Sequence, residues 1–303
     1  MEIKKKKRRK GEVIRSVIIN LFFALFSLMF IYPILMIIAV SFTGEKEIME
    51  LGYHLIPKKI DLTAYKFVLN NPTQIINSYK TTIFFTLAGT VLSMAVMTML
   101  AYTIAQEKYK LRKLVSFMIF FTMLFSGGLV PAYIMNTQYL HLGNTIWIYI
   151  LPSLASAFQI IILRTFFKGL PIAIAESARV DGANEFVVFF RIILPMSKPV
   201  LATVAVMNIL NRWNDWYTSM IYIKDPALFS LQYNLQKTLL ELQFILDNYN
   251  KLPPGIDLTE YASVPTEGVR MATCVIVALP VLVVFPFFQK YFAQGITVGA
   301  VKG

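Results

Sequence analysis

Cysteine is almost absent from this chain: one residue, Cys274, in 303. That excludes a disulfide framework and a multi-cysteine metal site, and because Cys274 lies inside an apolar run it reads as packing. Histidine is nearly as scarce, with His54 and His141 only, both in expected external loops where neither can serve as a base within a membrane. Several catalytic signatures are also missing: a Gly-x-x-x-x-Gly-Lys-Ser/Thr nucleotide loop, a His-Glu-x-x-His pair and a Gly-x-Ser-x-Gly elbow. Any ATP used must be hydrolysed by another chain. Charged residues make up just 15% of the sequence against 56% apolar, a composition outside that of ordinary soluble domains and pointing to the membrane.

What is present is apolar sequence in long runs. Six stretches are long enough to cross a hydrocarbon layer of roughly 30 Å, which takes about 20 helical residues: 17–40, 81–105, 114–135, 145–167, 200–223 and 269–288. None alternates as a barrel strand does, so helices are the backbone that satisfies its own polar groups in lipid, and the expected fold is all-α. Pro33, Gly89, Pro152, Pro280 and Pro286 fall within these runs and predict kinks. The first run is too long for a cleavable signal, and no small-x-small site follows it before Tyr53.

The net charge of +12 is distributed as a topology signal. Lys4–Lys10 opens the chain, Lys108, Lys110, Arg112 and Lys113 fill the second loop, and Lys168, Arg179, Arg191 and Lys198 fill the fourth. The alternate loops are poorer in Lys and Arg, so both termini and these two loops are expected in the cytoplasm. The basic N-terminus abuts a spanning helix and lacks aromatic interleaving, which argues against nucleic acid as a partner and for membrane lipid. The expected organisation is a basic N-terminus over 1–16, one membrane domain over 17–292 and a tail over 293–303. External loops are expected at 43–80 and 224–268, and a cytoplasmic loop at 168–196. Within 224–268, Leu231, Leu235, Leu239, Leu242, Ile245 and Leu246 recur at helical spacing until Pro253-Pro254-Gly255, and that face either packs on its own bundle or meets an external protein.

Two places carry polar residues where the surroundings are apolar. In the 168–196 loop, Pro171 starts a short helix over 172–180 in which Ala173, Ala175, Ser177 and Ala178 leave a thin, approachable surface. Asp181-Gly182 breaks it, with Asp181 available to cap a second helix over 183–193 that runs until Pro195. The expected shape is a right-angled elbow for a partner to grip. Phe186, Phe189 and Phe190 also permit an interfacial helix on headgroups. In the fifth run, Asn208, Asn211, Arg212, Asp215 and Ser219 share a face, and Asn211 lies roughly 16 Å in from Val200, near mid-membrane. This reads either as a polar pathway or as an Arg212–Asp215 pair locking helices together. Trp213, Trp216 and Tyr217 suit either stacking on sugar rings or anchoring at the interface.

The elbow resembles the signature of binding-protein-dependent ABC importer permeases: Glu176-Ser177-Ala178, then Asp181-Gly182-Ala183, then Ile192-Ile193-Leu194-Pro195. Ser177 departs from the usual alanine. Leu55-Ile56-Pro57, Gly127-Gly128-Leu129-Val130-Pro131, Leu163-Arg164-Thr165-Phe166-Phe167, Trp213-Asn214-Asp215-Trp216 and the ending from Gln289 to Gly303 extend the resemblance over nearly the full length. It is similar to the carbohydrate branch, maltose-type second permeases, and closest to those for polysaccharide-derived oligosaccharides.

The resemblance implies a type I importer permease in a bacterial plasma membrane, itself non-catalytic. It implies a second, homologous permease, two ATPase subunits that use ATP and Mg, and an extracellular solute-binding lipoprotein, with no cofactor held by this chain. Glu176, Ser177, Ala178, Asp181, Gly182, Ala183, Leu194 and Pro195 would couple to the ATPase. Asn208, Asn211, Arg212, Trp213, Asp215 and Trp216 would line the sugar path. An ion-gradient-driven transporter is the nearest alternative, though no inverted repeat or mid-membrane carboxylate relay supports it, and a membrane enzyme or sensor is further off.

Overall fold

Long helices form here because the apolar runs are dominated by Leu, Ile, Val, Phe, Met and Ala, and a helix satisfies its own backbone in lipid. The computed structural model describes residues 10–70, 72–247, 267–280 and 282–283. The basic run 4–9, Pro253-Pro254-Gly255, Pro286 and the segment 289–303 lie outside the described residues. Those described form helices and no strand; one isolated antiparallel bridge joins Thr43 and Ile60. They divide into two compact units, one from Met1–Asn70 with Leu242–Ala278, the other from Asn71–Glu241 with Leu279–Gly303.

In the first unit, α1 (Lys10–Ser41) runs unbroken through Pro33. Its 32 residues give about 48 Å of length, and its apolar side chains are exposed all round, Val17, Phe22 and Phe30 among them, the surface of a lipid-embedded helix. Beyond it, α2 (Glu45–Leu51) and α3 (Thr63–Val68) form a small cap. Phe42 stacks on Tyr65 at 5.0 Å between ring centres, and the Ser41 and Tyr65 hydroxyls are 2.8 Å apart. Asp61 Oδ1 accepts the Thr63 N–H at 2.8 Å, which starts α3. The helical stretch 267–280 packs Val269 and Ala272 against Ala64. Cys274 on that stretch is exposed, correcting the expectation that it is core.

The second unit is built around α4 (Pro72–Ala105), 34 residues without interruption. Gly89 does not interrupt it. The other expected spans of this unit are not single straight helices. Instead of one span over 114–135, α5 (Arg112–Leu124) and α6 (Leu129–Ile134), prolonged by a π turn over Met135–Tyr139, meet at 114°. Phe125 is extended and Gly128 has φ +85°, so Gly127-Gly128 breaks the run. Over 145–167, a 3-10 turn (Ile146–Tyr149) and the bend at Pro152 precede α7 (Ala157–Lys168). At 12 residues α7 rises about 18 Å, less than a membrane crossing. The elbow comes next as α8 (Ile172–Val180), α9 (Glu185–Val187), a π turn (Val188–Ile193) and α10 (Leu194–Met196). Then come α11 (Lys198–Trp213), α12 (Tyr217–Tyr222) and α13 (Leu231–Asp247), so the 200–223 run is broken at residues 214–216.

Two helices are long and apolar enough to cross a membrane, Arg15–Ser41 and Pro72–Ala105, and up to five spans result if each bent pair counts as one. On α13 the sequence pattern packs on its own unit at one end: Leu231 and Leu235 are buried, and Leu231 N–H donates to Thr82 Oγ1 at 2.8 Å. The side chains of Leu242, Ile245 and Leu246 lie outside the described residues.

Within this unit α4 packs along α7 and α11 and joins two apolar clusters. One, at the elbow end, gathers Met97, Tyr102, Leu163, Phe167, Ala175, Val188, Phe189 and Val204. The other gathers Phe85, Ile148, Tyr149, Ile223 and Phe229, with Phe85 stacked on Tyr149 at 4.4 Å and 6°. Between them lies a polar layer centred on Arg212.

Candidate functional site: the elbow and the buried arginine

Pro171 lacks an N–H and has φ −61°, which suits the start of α8. The axis turns 72° from α7 to α8. Ala175 faces the core, while Ile172, Glu176, Ser177 and Val180 face outward, Val180 being 87% exposed. Ser177 Oγ donates to Ala173 O at 3.0 Å, so the hydroxyl that replaces the family's alanine is absorbed within its own helix.

The turn after α8 is a Schellman motif. Ala183 N–H bonds Ala178 O at 2.9 Å and Gly182 N–H bonds Arg179 O at 3.1 Å. Gly182 takes φ +86°, a left-handed conformation open to glycine and costly for a β-branched residue. Asp181 closes α8 but does not cap the second helix; Asn184 does, its Oδ1 accepting Val187 N–H at 2.9 Å. That helix therefore begins at Glu185, two residues later than the sequence suggested. Nor does it end at Pro195. The chain stays helical through Leu194-Pro195-Met196, breaks at Ser197, and turns 81° into α11. The π turn just ahead of Pro195 fits the ring's missing N–H and its clash with the preceding turn. Leu194 is half-buried and Pro195 exposed.

Three residues that the sequence reading passed over, Tyr102, Gln106 and Glu185, hold the elbow in place together with Arg179, which was read only as a topology charge. Arg179 Nε donates to Glu185 Oε1 at 2.7 Å and Nη2 to Gln106 Oε1 at 3.3 Å, while Tyr102 O–H donates to Glu185 Oε2 at 2.9 Å. The bond from Arg179 holds the Glu185 carboxyl below its ordinary range despite some desolvation, and the same bond raises Arg179. The one available signal was a pair of opposite charges six residues apart across a glycine turn. A cavity of about 210 Å³ between α4, α7 and α8 lies beside this clasp, lined by Gln106, Lys168, Leu170, Ile172 and Arg179 among others.

The polar residues of the fifth run separate into two groups. Asn208, Arg212 and Trp213 are buried, at 5% to 7% exposure. Arg212 donates from Nε to Asn208 Oδ1 at 2.8 Å, from Nη1 to Tyr149 O at 2.7 Å, and from Nη2 to Ser93 Oγ at 2.7 Å and Ser153 O at 3.1 Å. Asn208 Nδ2 donates in turn to Gln159 Oε1 at 2.9 Å. One carbonyl, Tyr149 O, ends the 3-10 turn, and the other, Ser153 O, lies in the turn that follows Pro152, where helical bonding leaves oxygens free. Among the described residues Arg212 makes no ion pair with Asp215, so of the two readings the locking pair is not formed. Asp215 Oδ1 instead accepts Thr218 N–H at 3.0 Å and starts α12. Asn211, Asn214, Trp216 and Tyr217 are exposed, the last two edge to face at 5.9 Å. A single shared face from Asn208 to Ser219 does not exist, because the helix breaks after Trp213.

Comparison with known proteins agrees with this geometry. Protein LplC of Bacillus subtilis (strain 168) is 39% identical over 273 residues, 90% of each chain. The polygalacturonan/rhamnogalacturonan transport system permease protein YtcP of the same organism is 33% identical over 93% of this chain and 96% of its own. Among solved structures, a chain from the crystal structure of a bacterial ABC transporter involved in the import of the acidic polysaccharide alginate superposes with a TM-score of 0.79 at 28% identity, covering 95% of this chain and 100% of that one. Residues 104–298, which contain both the elbow and Arg212, match the family described as "Binding-protein-dependent transport system inner membrane component". The chain belongs to that family of transport-system membrane components.

Proposed function

We propose that this chain is the permease subunit of an ATP-driven importer that carries an oligosaccharide, of the kind released from plant or microbial polysaccharides, across the bacterial plasma membrane. In this reading six spans place both termini and the elbow in the cytoplasm. The chain pairs with a homologous, non-identical permease. Two ATPase subunits, which use ATP and Mg, receive the elbow through Glu176, Ser177, Ala178 and their neighbours up to Pro195. An extracellular solute-binding lipoprotein delivers cargo from the opposite side. The observation that carries the reading is the elbow itself: a short helix with an outward face of Ile172, Glu176 and Val180, closed by a glycine at φ +86° and tied back to α4.

The relatives' names supply the sugar class. One relative is named as a polygalacturonan/rhamnogalacturonan permease and the solved transporter imports the acidic polysaccharide alginate, which supports an acidic oligosaccharide as cargo. The importer needs only two packings that nucleotide and loaded receptor stabilise unequally. The test is uptake of labelled short polygalacturonan fragments into vesicles carrying the full assembly. Uptake is expected to require ATP and survive collapse of ion gradients, and Gly182→Val is expected to abolish it while ATP hydrolysis and membrane insertion persist. Transport at the wild-type rate in Gly182→Val, or transport driven by an ion gradient without ATP, would overturn the reading.

A further inference from the structure

We infer that α4 is a rigid strut linking the elbow to the segment Pro226–Leu231, with Tyr102 and Thr82 as positioning residues at its two attachments. This rests on the proposed contact between elbow and ATPase.

At the elbow end, the Tyr102 hydroxyl and the Gln106 amide hold Glu185 and Arg179, which lie on opposite sides of the glycine turn. The Tyr102 ring also packs on Phe189 at 5.0 Å and Phe167 at 6.3 Å. The two halves of the elbow and the end of α4 are thus one hydrogen-bonded unit. At the far end, α4 packs Phe85 with Phe229 and also bonds to main chain. Gln74 Nε2 donates to Pro226 O at 2.7 Å, Thr81 Oγ1 to Ala227 O at 3.3 Å, and Leu231 N–H donates to Thr82 Oγ1 at 2.8 Å. These bonds fix the backbone that leads into α13.

Between the attachments, Thr82 and Tyr102 are 20 residues and therefore about 30 Å apart along a helix. Nothing interrupts it. Three other paths through the described residues contain a joint: 114° between α5 and α6, 72° between α7 and α8, and the break after Trp213. A joint absorbs displacement by rotating, whereas an unbroken helix passes it on along its axis. Arg212 also grips the middle of α4 through Ser93 Oγ and the space over Gly89. Displacement of the elbow therefore reaches 226–231 through α4 before it reaches it through α7 or α11.

The alternative is that the two attachments are independent local braces, and a double-mutant cycle separates these cases. The complete assembly, with its ATPases and its own solute-binding protein, is reconstituted in vesicles. The quantity read is the factor by which Mg-ATP plus vanadate changes affinity for the solute-binding protein. Tyr102→Phe removes one hydroxyl and keeps the ring; Thr82→Val removes one acceptor and keeps the shape. Each is expected to reduce the factor at least about fivefold, the lower end of an allosteric coupling. The double variant is expected to lose no more than the larger single loss, and Thr82→Ser to restore the wild-type factor. Losses that multiply, single variants with an undiminished factor, or failure of Thr82→Ser to rescue would overturn the strut. Gly182→Val is run in parallel. A wild-type factor in that variant would overturn the elbow reading itself, which keeps the two failures distinct.

Discussion

The α-carbon of Gly89 lies against the guanidinium of Arg212: a Cβ built on Gly89 would stand 2.5 Å from Nη1 and 2.7 Å from Cζ. The guanidinium cannot retreat without giving up Ser93 Oγ and the Tyr149 and Ser153 carbonyls, which fix it on the other sides. Gly89→Ala is therefore expected to cost about 1–3 kcal/mol through overpacking, although alanine is the better helix former. The thermal unfolding midpoint of the purified assembly reports this. A midpoint at or above wild type would show that the arginine has another place to go.

The elbow was legible in the sequence because glycine and proline have strict backbone meanings: Gly182 does take the left-handed turn and Pro171 does open α8. The long helices α1 and α4 were legible from apolar length alone. What length could not reveal was interruption. Gly127-Gly128 lies inside a run apolar enough to span, and hydropathy averaged over the run hides a two-residue break. The partner of Arg212 was missed for a different reason. Sequence offers Asp215 as the nearest opposite charge, but the acceptors used include main-chain carbonyls of Tyr149 and Ser153, and carbonyl oxygens have no residue signature. Tyr102 and Gln106 were hidden because 83 and 73 residues separate them from Glu185 and Arg179.

Asn184 rather than Asp181 caps the second half of the elbow, so alanine substitution at the two positions should separate them. Asn184→Ala removes the acceptor for Val187 N–H and is expected to cost about 1 kcal/mol. Asp181 is exposed and closes α8 through its backbone N–H, which alanine keeps, so Asp181→Ala should cost less. Hydrogen exchange over 183–190 measures both, and equal protection in the two variants would contradict the assignment.

The histidine between α2 and α3 sets a pH window. His54 is bracketed by two acceptors, Gly52 O at 2.9 Å from Nδ1 and Glu47 Oε1 at 2.7 Å from Nε2. Both favour the charged ring, Gly52 most, and raise its pKa above 6.5 against desolvation and Lys58. Glu47 is lowered, chiefly by the Lys58 N–H. The histidine's contribution is thus complete below its ordinary pKa and is lost as pH rises through the elevated one. The carboxylate's is present above 4.5 and lost only as pH falls through its lowered value. Hydrogen exchange over 44–62, corrected for intrinsic rate, should show weaker protection at about pH 8.5 than at about pH 5.5. His54→Phe should abolish the difference.

The division of the fifth run into buried and exposed groups predicts two distinct phenotypes. Asn208 and Trp213 are enclosed, and Asn208 bridges Arg212 to Gln159. Asn208→Ala leaves a charged donor and an amide short of a partner, so it is expected to lose about 1–3 kcal/mol of stability. Asn211 and Trp216 face outward, and removing an exposed side chain away from such features typically changes stability by less than about 0.5 kcal/mol. If this outward group meets the sugar, Asn211→Ala and Trp216→Ala reduce uptake of polygalacturonan fragments while leaving the unfolding midpoint and basal ATP hydrolysis at wild-type values. Aromatic stacking has a second signature: Trp216→Phe should recover much of the uptake that Trp216→Ala loses. Undiminished uptake in both alanine variants would take Asn211 and Trp216 out of the path and leave this run a purely architectural role.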